Sequence, residues 1–403
     1  KLRHPNLINE NWFIQVNDIS SLWKNQQTYI ISQAIYILTG LATLIHAFSK
    51  GGRWPYFWLA TIFHGLISDN FWAILLPQYD NFWHSQAPIM FFGGRQPLHI
   101  VLLYPAFIYN AAYAISRLNL RQSVEPFAVG LLVILIDIPY DIVAVKFVHW
   151  VWHDTDPNIF DRHYWVPWNS YYFHATFTAS LYYFFHATRS YFAPKFPKWM
   201  AAGLVPEIMS LMASSFLGMF GGILLFLPIY HSLHDMYKVH SEVTFFLLFA
   251  IFAVIVLVGL IENRRKYSDR LTKCDYLLLI LLAAHYLIYL FFVMFMNPEN
   301  EVSVGYHQPV GPCNQQVSLY NPFGHKLSKG RYLCVTNYDE GYYDFHCVDS
   351  NLPSNGSHWY TICGTAFENR VEYITVIFSI AVVAFGVFYG LYFKTVEVKI
   401  KTK

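Results

Sequence analysis

Apolar residues fall along this chain in long blocks, separated by short polar stretches that carry most of the charge. A helix crosses about 30 Å of hydrocarbon with roughly 20 mostly apolar residues. Runs of that length lie at 28–48, 56–77, 97–117, 126–148, 169–188, 201–230, 242–262, 276–296 and 371–394. They predict an all-α polytopic membrane protein of about nine transmembrane helices. Gly218, Gly221, Gly222 and Pro228 predict a tilt or kink in the sixth run, and Pro139 predicts an interruption of the fourth. No repeat with a period of roughly 20–50 residues is present.

Charge sets the expected orientation. Lys50 and Arg53 follow the first run, Arg117 and Arg121 the third, and Arg189, Lys195 and Lys198 the fifth. Arg264, Arg265, Lys266, Arg270 and Lys273 follow the seventh, and Lys394, Lys399, Lys401 and Lys403 close the chain. Every second loop is basic, which by the positive-inside rule puts those loops in the cytosol. The N-terminus is then outside or lumenal and the C-terminus cytosolic. Three regions follow: spans one to eight with an N-terminal lumenal segment (1–296), a lumenal or extracellular insert (297–370), and a ninth span with a basic tail (371–403).

The insert holds Cys313, Cys334, Cys347 and Cys363, an even number on an oxidising face, and so predicts two disulfides with three pairings open. Asn355-Gly356-Ser357 is an N-glycosylation acceptor that works only on that face. Many tyrosines, Gly, Asn and Pro predict a small loop-rich or β-rich cap held by its disulfides. Cys274, at the cytosolic edge of the eighth run, is expected as an inert free thiol.

Composition sharpens this. Only 13% of the 403 residues are charged, against roughly a quarter in soluble domains. Aromatics at 19% suit a lipid-facing surface with aromatic rims. A net charge of +2 gives no footprint for nucleic acid. The chain opens on Lys1, as after removal of a leader, and no signal-peptide pattern follows. The expected setting is a multi-pass protein of the secretory pathway or plasma membrane.

Ionisable groups inside spans cost several kcal/mol unless paired or used, and this chain has many. Asp69 lies in the second run with His64 and Asn70, and Asp137 and Asp141 share a helix face in the fourth. Two carboxyls one turn apart in an oily medium do not both ionise readily, and one kept neutral can donate a proton. The bland alternative has them cap helix ends or pair with Lys146 and Arg162. Glu207, after Pro206, is either a helix-start acid or a fourth acid in the same chamber. His149, His153, His231 and His234 have spacings compatible with a divalent metal, or else decorate a headgroup rim among tryptophans. His174 and His186 are further span histidines. No phosphate loop, Ser-His-Asp elbow or Walker motif occurs, so no ATP-driven machine is indicated and no cofactor is required.

One stretch carries a resemblance. Tyr79…Trp83 follows an acid-bearing span, and Pro97-Leu98 opens a span ending Tyr113-Ala114…Arg117. Then come Asp137…Tyr140-Asp141…Ala144-Val145…His149-Trp150-Val151-Trp152 and Tyr164-Trp165-Val166-Pro167-Trp168-Asn169-Ser170. Residues roughly 60–190 resemble the carotenoid-biosynthesis membrane family that includes carotenoid 1′,2′-hydratases, or an animal multi-pass family of the same ancestry. Trp165 stands where that pattern has Gly, Asn169 is offset by one, and the histidines and the cysteine insert are outside it. The resemblance implies a membrane cavity for an isoprenoid or other long apolar lipid. It further implies protonation of a double bond by Asp69, Asp137 or Asp141, with aromatic faces steadying the cation.

Three functions fit these expectations. The first is a lipid- or isoprenoid-acting enzyme of lyase or hydratase type, or a binder, whose partners are membrane lipids. The second is an accessory subunit of a channel or receptor complex, docking through residues 297–370. The third is an ion- or proton-coupled transporter, which the lack of inverted repeats disfavours.

Overall fold

The computed structural model describes residues 12–118, 120–152, 156–262, 270–321, 323–338, 340–348 and 352–393. His153 and Asp154, the loop residues Arg264, Arg265 and Lys266, and the tail lysines Lys394, Lys399, Lys401 and Lys403 lie outside the described residues.

Helices dominate: α1 (Ile19–Asn25), α2 (Gln27–Lys50), α3 (Trp54–Leu75), α4 (Leu98–Tyr104), α5 (Asn110–Ser116), α6 (Glu125–Lys146), α7 (Trp168–Phe192), α8 (Leu204–Tyr230), α9 (Ser241–Glu262), α10 (Lys273–Phe295) and α11 (Arg370–Phe393). A π-helical turn at Pro105–Tyr109 joins α4 to α5, and a second at His231–Met236 extends α8. Among the described residues, seven helices are long and apolar enough to cross a membrane: α2, α4–α5, α6, α8 with its π turn, α9, α10 and α11. This is a multi-pass membrane protein. The other two long helices, α3 and α7, are the polar ones, carrying His64, Asp69 and Asn70, and Ser170, His174 and Arg189. Both pack inside the bundle, α7 against α6 and α8, and α3 against α2, α4 and α8.

Pro139 does not interrupt α6, which runs unbroken from Glu125 to Lys146. Proline removes the N–H that would bond the carbonyl four residues back, and α10 repairs the loss. The Tyr286 hydroxyl donates to the Leu135 carbonyl at 3.0 Å, and His285 Nε2 lies 2.9 Å from the Ile136 carbonyl. In α8 the glycines serve close approach: a Cβ on Gly222 would stand 2.8 Å from the Phe177 backbone nitrogen. Thr272 and Asp275 close a capping box on α10.

Short strands correct the all-α expectation. They are β1 (Ile14–Val16), β2 (Phe82–His84), β3 (Ile89–Phe91), β4 (Gln96–Pro97), β5 (Trp150–Trp152), β6 (Arg162–His163), β7 (Val166–Pro167), β8 (Val302–Tyr306), β9 (Gln316–Tyr320), β10 (Lys326–Gly330), β11 (Tyr343–Asp344) and β12 (Trp359–Gly364). They form small antiparallel sheets, ordered β1-β3-β4, β2-β5, β6-β7, β9-β10 and β11-β12-β8. Every strand comes from the N-terminal segment or from a loop on the insert's side of the helices. An antiparallel bridge between Ser85 and Gly305 joins two of these loops, and Tyr342 of the insert bonds both the N–H and the carbonyl of Trp152. Together they make a cap over one end of the bundle. The disulfides are Cys313–Cys334 and Cys347–Cys363, and Cys274 is free.

Candidate functional site

Beneath the cap lies a cavity of about 520 Å³. Its walls are α3, α4 with the first π turn, α6, α7 and α8, and its outer rim is β2, β5 and the β9–β10 hairpin. Tyr104, Phe107, Tyr140, Trp150, Phe173 and Phe177 give it an aromatic wall. Pro105 cannot donate to the backbone ladder, and the chain widens to a π turn there. That turn carries Phe107 into the cavity, its ring 6.2 Å from that of His174 and 5.9 Å from that of Tyr140.

Polar groups gather at the inner end. One helical turn separates Asp137 from Asp141, so both point from α6 toward the start of α7. Ser170 Oγ donates to Asp141 Oδ2 at 2.7 Å, and His174 Nε2 stands 3.1 Å from Asp137 Oδ1. Ligating atoms of Asp137, Asp141 and His174 all lie within 4.8 Å of one another. Among the described residues, no donor from elsewhere in the fold reaches Asp141 Oδ1 or either Asp137 oxygen in hydrogen-bonding geometry. The two carboxyls, both 0% exposed, are left to each other and to the imidazole. Asp141 and His174 face the cavity, with Asp137 behind them. Across from them, Asp69 accepts from Gln96 Nε2 at 2.8 Å and from the Tyr104 hydroxyl at 2.6 Å.

A second polar group sits at the mouth, in the π turn after Pro228. His231 Nδ1 lies 2.9 Å and His234 Nδ1 3.0 Å from the two Asp235 oxygens, and His234 Nε2 lies 3.4 Å from Asp161. Burial pushes the Asp161 carboxyl up, but the His234 ring and the Ser241 amide outweigh it and hold it below the usual carboxylate range. In the cap, burial pushes the His84 imidazole down to about 3, with Arg95 adding to the effect, so that ring is neutral. Asn321 of the hairpin turn donates to Asp235 Oδ2 at 3.1 Å, and the Tyr79 hydroxyl donates to the Tyr320 carbonyl at 2.8 Å.

Of the residues singled out by sequence, Asp69, Asp137 and Asp141 are thus brought around one chamber. Glu207 is not: it faces Arg53, whose Nε is 2.6 Å from its carboxylate, and it is absent from the cavity wall. Arg53 is itself 0% exposed, and a buried guanidinium requires a carboxylate partner. Nor do Asp137 and Asp141 pair with Lys146 and Arg162, which lie against Glu368 at 3.0 Å and Glu340 at 3.5 Å. Of the four histidines weighed as metal ligands, His153 lies outside the described residues and the other three do not gather at one place. His149 lies against Thr28 Oγ1 at 2.8 Å, whereas His231 and His234 share Asp235. Among the described residues, Asp137, Asp141 and His174 form a buried donor set with spacing that could hold a cation. His174 stood out in the sequence only as a span histidine. Its signal was the four-residue step from Ser170, which matches the step from Asp137 to Asp141.

The sequence matches a family profile described as a domain of unknown function (DUF7802) over residues 6–393. No curated protein matches the chain. No solved structure matches it.

Proposed function

We propose the following for this chain, which belongs to the DUF7802 family: it is a membrane-embedded enzyme that admits a long apolar lipid of isoprenoid type and hydrates a double bond by acid catalysis. One observation carries the reading. Asp69 and Asp141, with Asp137 directly behind, converge on an aromatic-walled cavity bounded by spans and cap.

Asp137 and Asp141 share one proton, because two adjacent carboxylates with one outside donor cannot both stay charged in a dry site. Asp69, with two donors aimed at it, is the carboxylate. Asp141 gives its proton to one alkene carbon and leaves a carbocation on the next. The faces of Tyr104, Phe107 and Tyr140 and the charge of Asp69 steady that cation. Water adds its lone pair to the cation, and the surplus proton passes to Asp69 and back to the pair. The balance is one water added across one double bond.

In this reading all nine long helices cross the membrane, α3 and α7 turning their polar faces to the cavity rather than to lipid. The described basic residues Arg53, Arg117, Arg121, Lys195 and Lys198 lie in loops at the end away from the cap, which supports a cytosolic location there. The strand-bearing loops, the disulfides and Asn355 are then lumenal or extracellular.

Purified protein in liposomes, supplied with a linear polyprenyl hydrocarbon and isotopically labelled water, tests the chemistry. Wild type incorporates labelled oxygen into the lipid, and Asp141→Asn lowers the rate roughly a hundredfold or more. Undiminished incorporation by a folded Asp141→Asn variant, or none by wild type, overturns the proposal.

A further inference from the structure

The charge of the cavity wall bears on which ligands it accepts. Four of its lining residues are aspartates (Asp69, Asp141, Asp156 and Asp235), and among the described residues no lysine or arginine lines it. The two outer aspartates already have basic neighbours: Lys329 Nζ is 4.0 Å from Asp156, and His231 and His234 flank Asp235. The inner two have no lysine or arginine in direct contact, although Arg95 acts on Asp69 from beyond the wall and the His174 ring lies beside Asp141. Asp69 is met by an amide and a phenol, and Asp141 by a hydroxyl, all neutral donors. Asp141 lines the cavity wall, and no donor other than the neighbouring Asp137 carboxyl is placed to satisfy its buried Oδ1. Behind it Asp137 adds a third carboxyl whose one basic neighbour is the His174 ring. Aromatic faces, negative at their centres, line the space between.

We propose that the inner end of this cavity is a cation subsite, so that the chain takes lipophilic amines in preference to neutral or phosphate-bearing lipids with the same tail. The proposal rests on the reading of this cavity as the lipid site and extends it to ligand class. An ammonium beside Asp141 and Asp69 gains both Coulomb attraction in a water-poor space and contact with ring faces. A phosphate there meets three carboxyls and no lysine or arginine on the wall, and like charge in a low dielectric is strongly excluded. The same field stabilises a carbocation formed on the lipid, so an amine of matching shape is a stable mimic of that intermediate.

Equilibrium binding to the full chain in zwitterionic nanodiscs, corrected with empty nanodiscs, compares dimethylhexadecylamine, hexadecanol and hexadecyl phosphate. The amine binds at least about tenfold tighter than the alcohol, and the phosphate binds weakest. The Asp69→Asn/Asp141→Asn double variant, shown folded by its thermal transition, brings the amine level with the alcohol. Equal affinities in wild type, tighter phosphate binding, or an amine preference that survives in the folded double variant would each overturn the subsite. Because no turnover is measured, the two ideas can fail apart. Amine selectivity without hydration sinks the enzyme reading alone, and acid-dependent hydration without amine selectivity sinks the subsite alone.

Discussion

Glu301 shows how a single buried acid at the neck of the insert can be read for its effect on stability. Its Oε1 accepts from the Thr28 amide at 3.3 Å, at the start of α2, and the side chain is almost fully enclosed. Burial pushes its carboxyl up to about 7 from an ordinary 4.5, the bonds from Thr28 opposing without prevailing. A raised acid favours the protonated folded form, so stability is complete below 4.5 and falls as pH rises through about 7. Glu301→Gln keeps the acceptor and stays neutral. It should match wild type in thermal unfolding below 4.5 and exceed it above 7, by on the order of 3 kcal/mol. A wild-type transition that does not weaken across that window would refute the assignment. Nothing in the sequence around Glu301 announces this role, since its partner Thr28 lies at the far end of the chain. Asp137 and Asp141 were readable because their relation is local, one turn of one helix. Asp69 and His174 could be ranked only as polar residues in apolar runs, for it is the packing of α7 against α6, and of α3 against α4 and α8, that brings them to the same chamber. Glu207 misled for the same reason: its partner Arg53 belongs to a different helix start.

The apolar runs marked every long helix because a spanning helix writes its length directly into hydropathy. Strands of two to six residues leave no such trace, and the π turn at Pro105 is one residue wider than a pattern can resolve. The β9–β10 hairpin is the clearest case of an element whose purpose appears only in three dimensions. Tyr320 and Asn321 tie it to Tyr79 and Asp235, Lys329 donates to the Asp80 carbonyl at 3.2 Å, and Leu319 and Leu327 complete the cavity rim. The Cys313–Cys334 bond, spanning 21 residues, clasps the hairpin at its base. Replacing both cysteines by serine removes a constraint worth about 3 kcal/mol to the insert. The expected result is a separate, earlier melting step with unchanged far-ultraviolet helicity, because the spans hold themselves. Access to the cavity should rise, read as faster quenching of tryptophan fluorescence at Trp150 and Trp152 by an aqueous quencher. An insert as stable and as closed as wild type would show that the hairpin is held by its side-chain ties alone.

At the level of the whole molecule, access to the chamber depends on which end of the bundle faces the cytosol. Two independent features oppose each other across it. The short described loops at one end carry Arg53, Arg117, Arg121, Lys195 and Lys198, while the other end carries the strands, both disulfides and the sequon. Asn355 is exposed in a turn that Gly356 completes with a left-handed backbone, φ 87°, which a side chain would disfavour. It is therefore reachable by a glycosylating enzyme if, and only if, the cap is lumenal. Expression in animal cells should give a band that shifts on removal of N-linked glycans, and Asn355→Gln should run at the deglycosylated position. Pairing this with labelling of Lys195 by a membrane-impermeant amine reagent makes the result decisive: Lys195 should react only after the membrane is opened. Reaction of Lys195 in intact cells, with Asn355 unmodified, would invert the molecule. The acid chamber would then open toward the cytosol, and its lipid would have to arrive from the other leaflet.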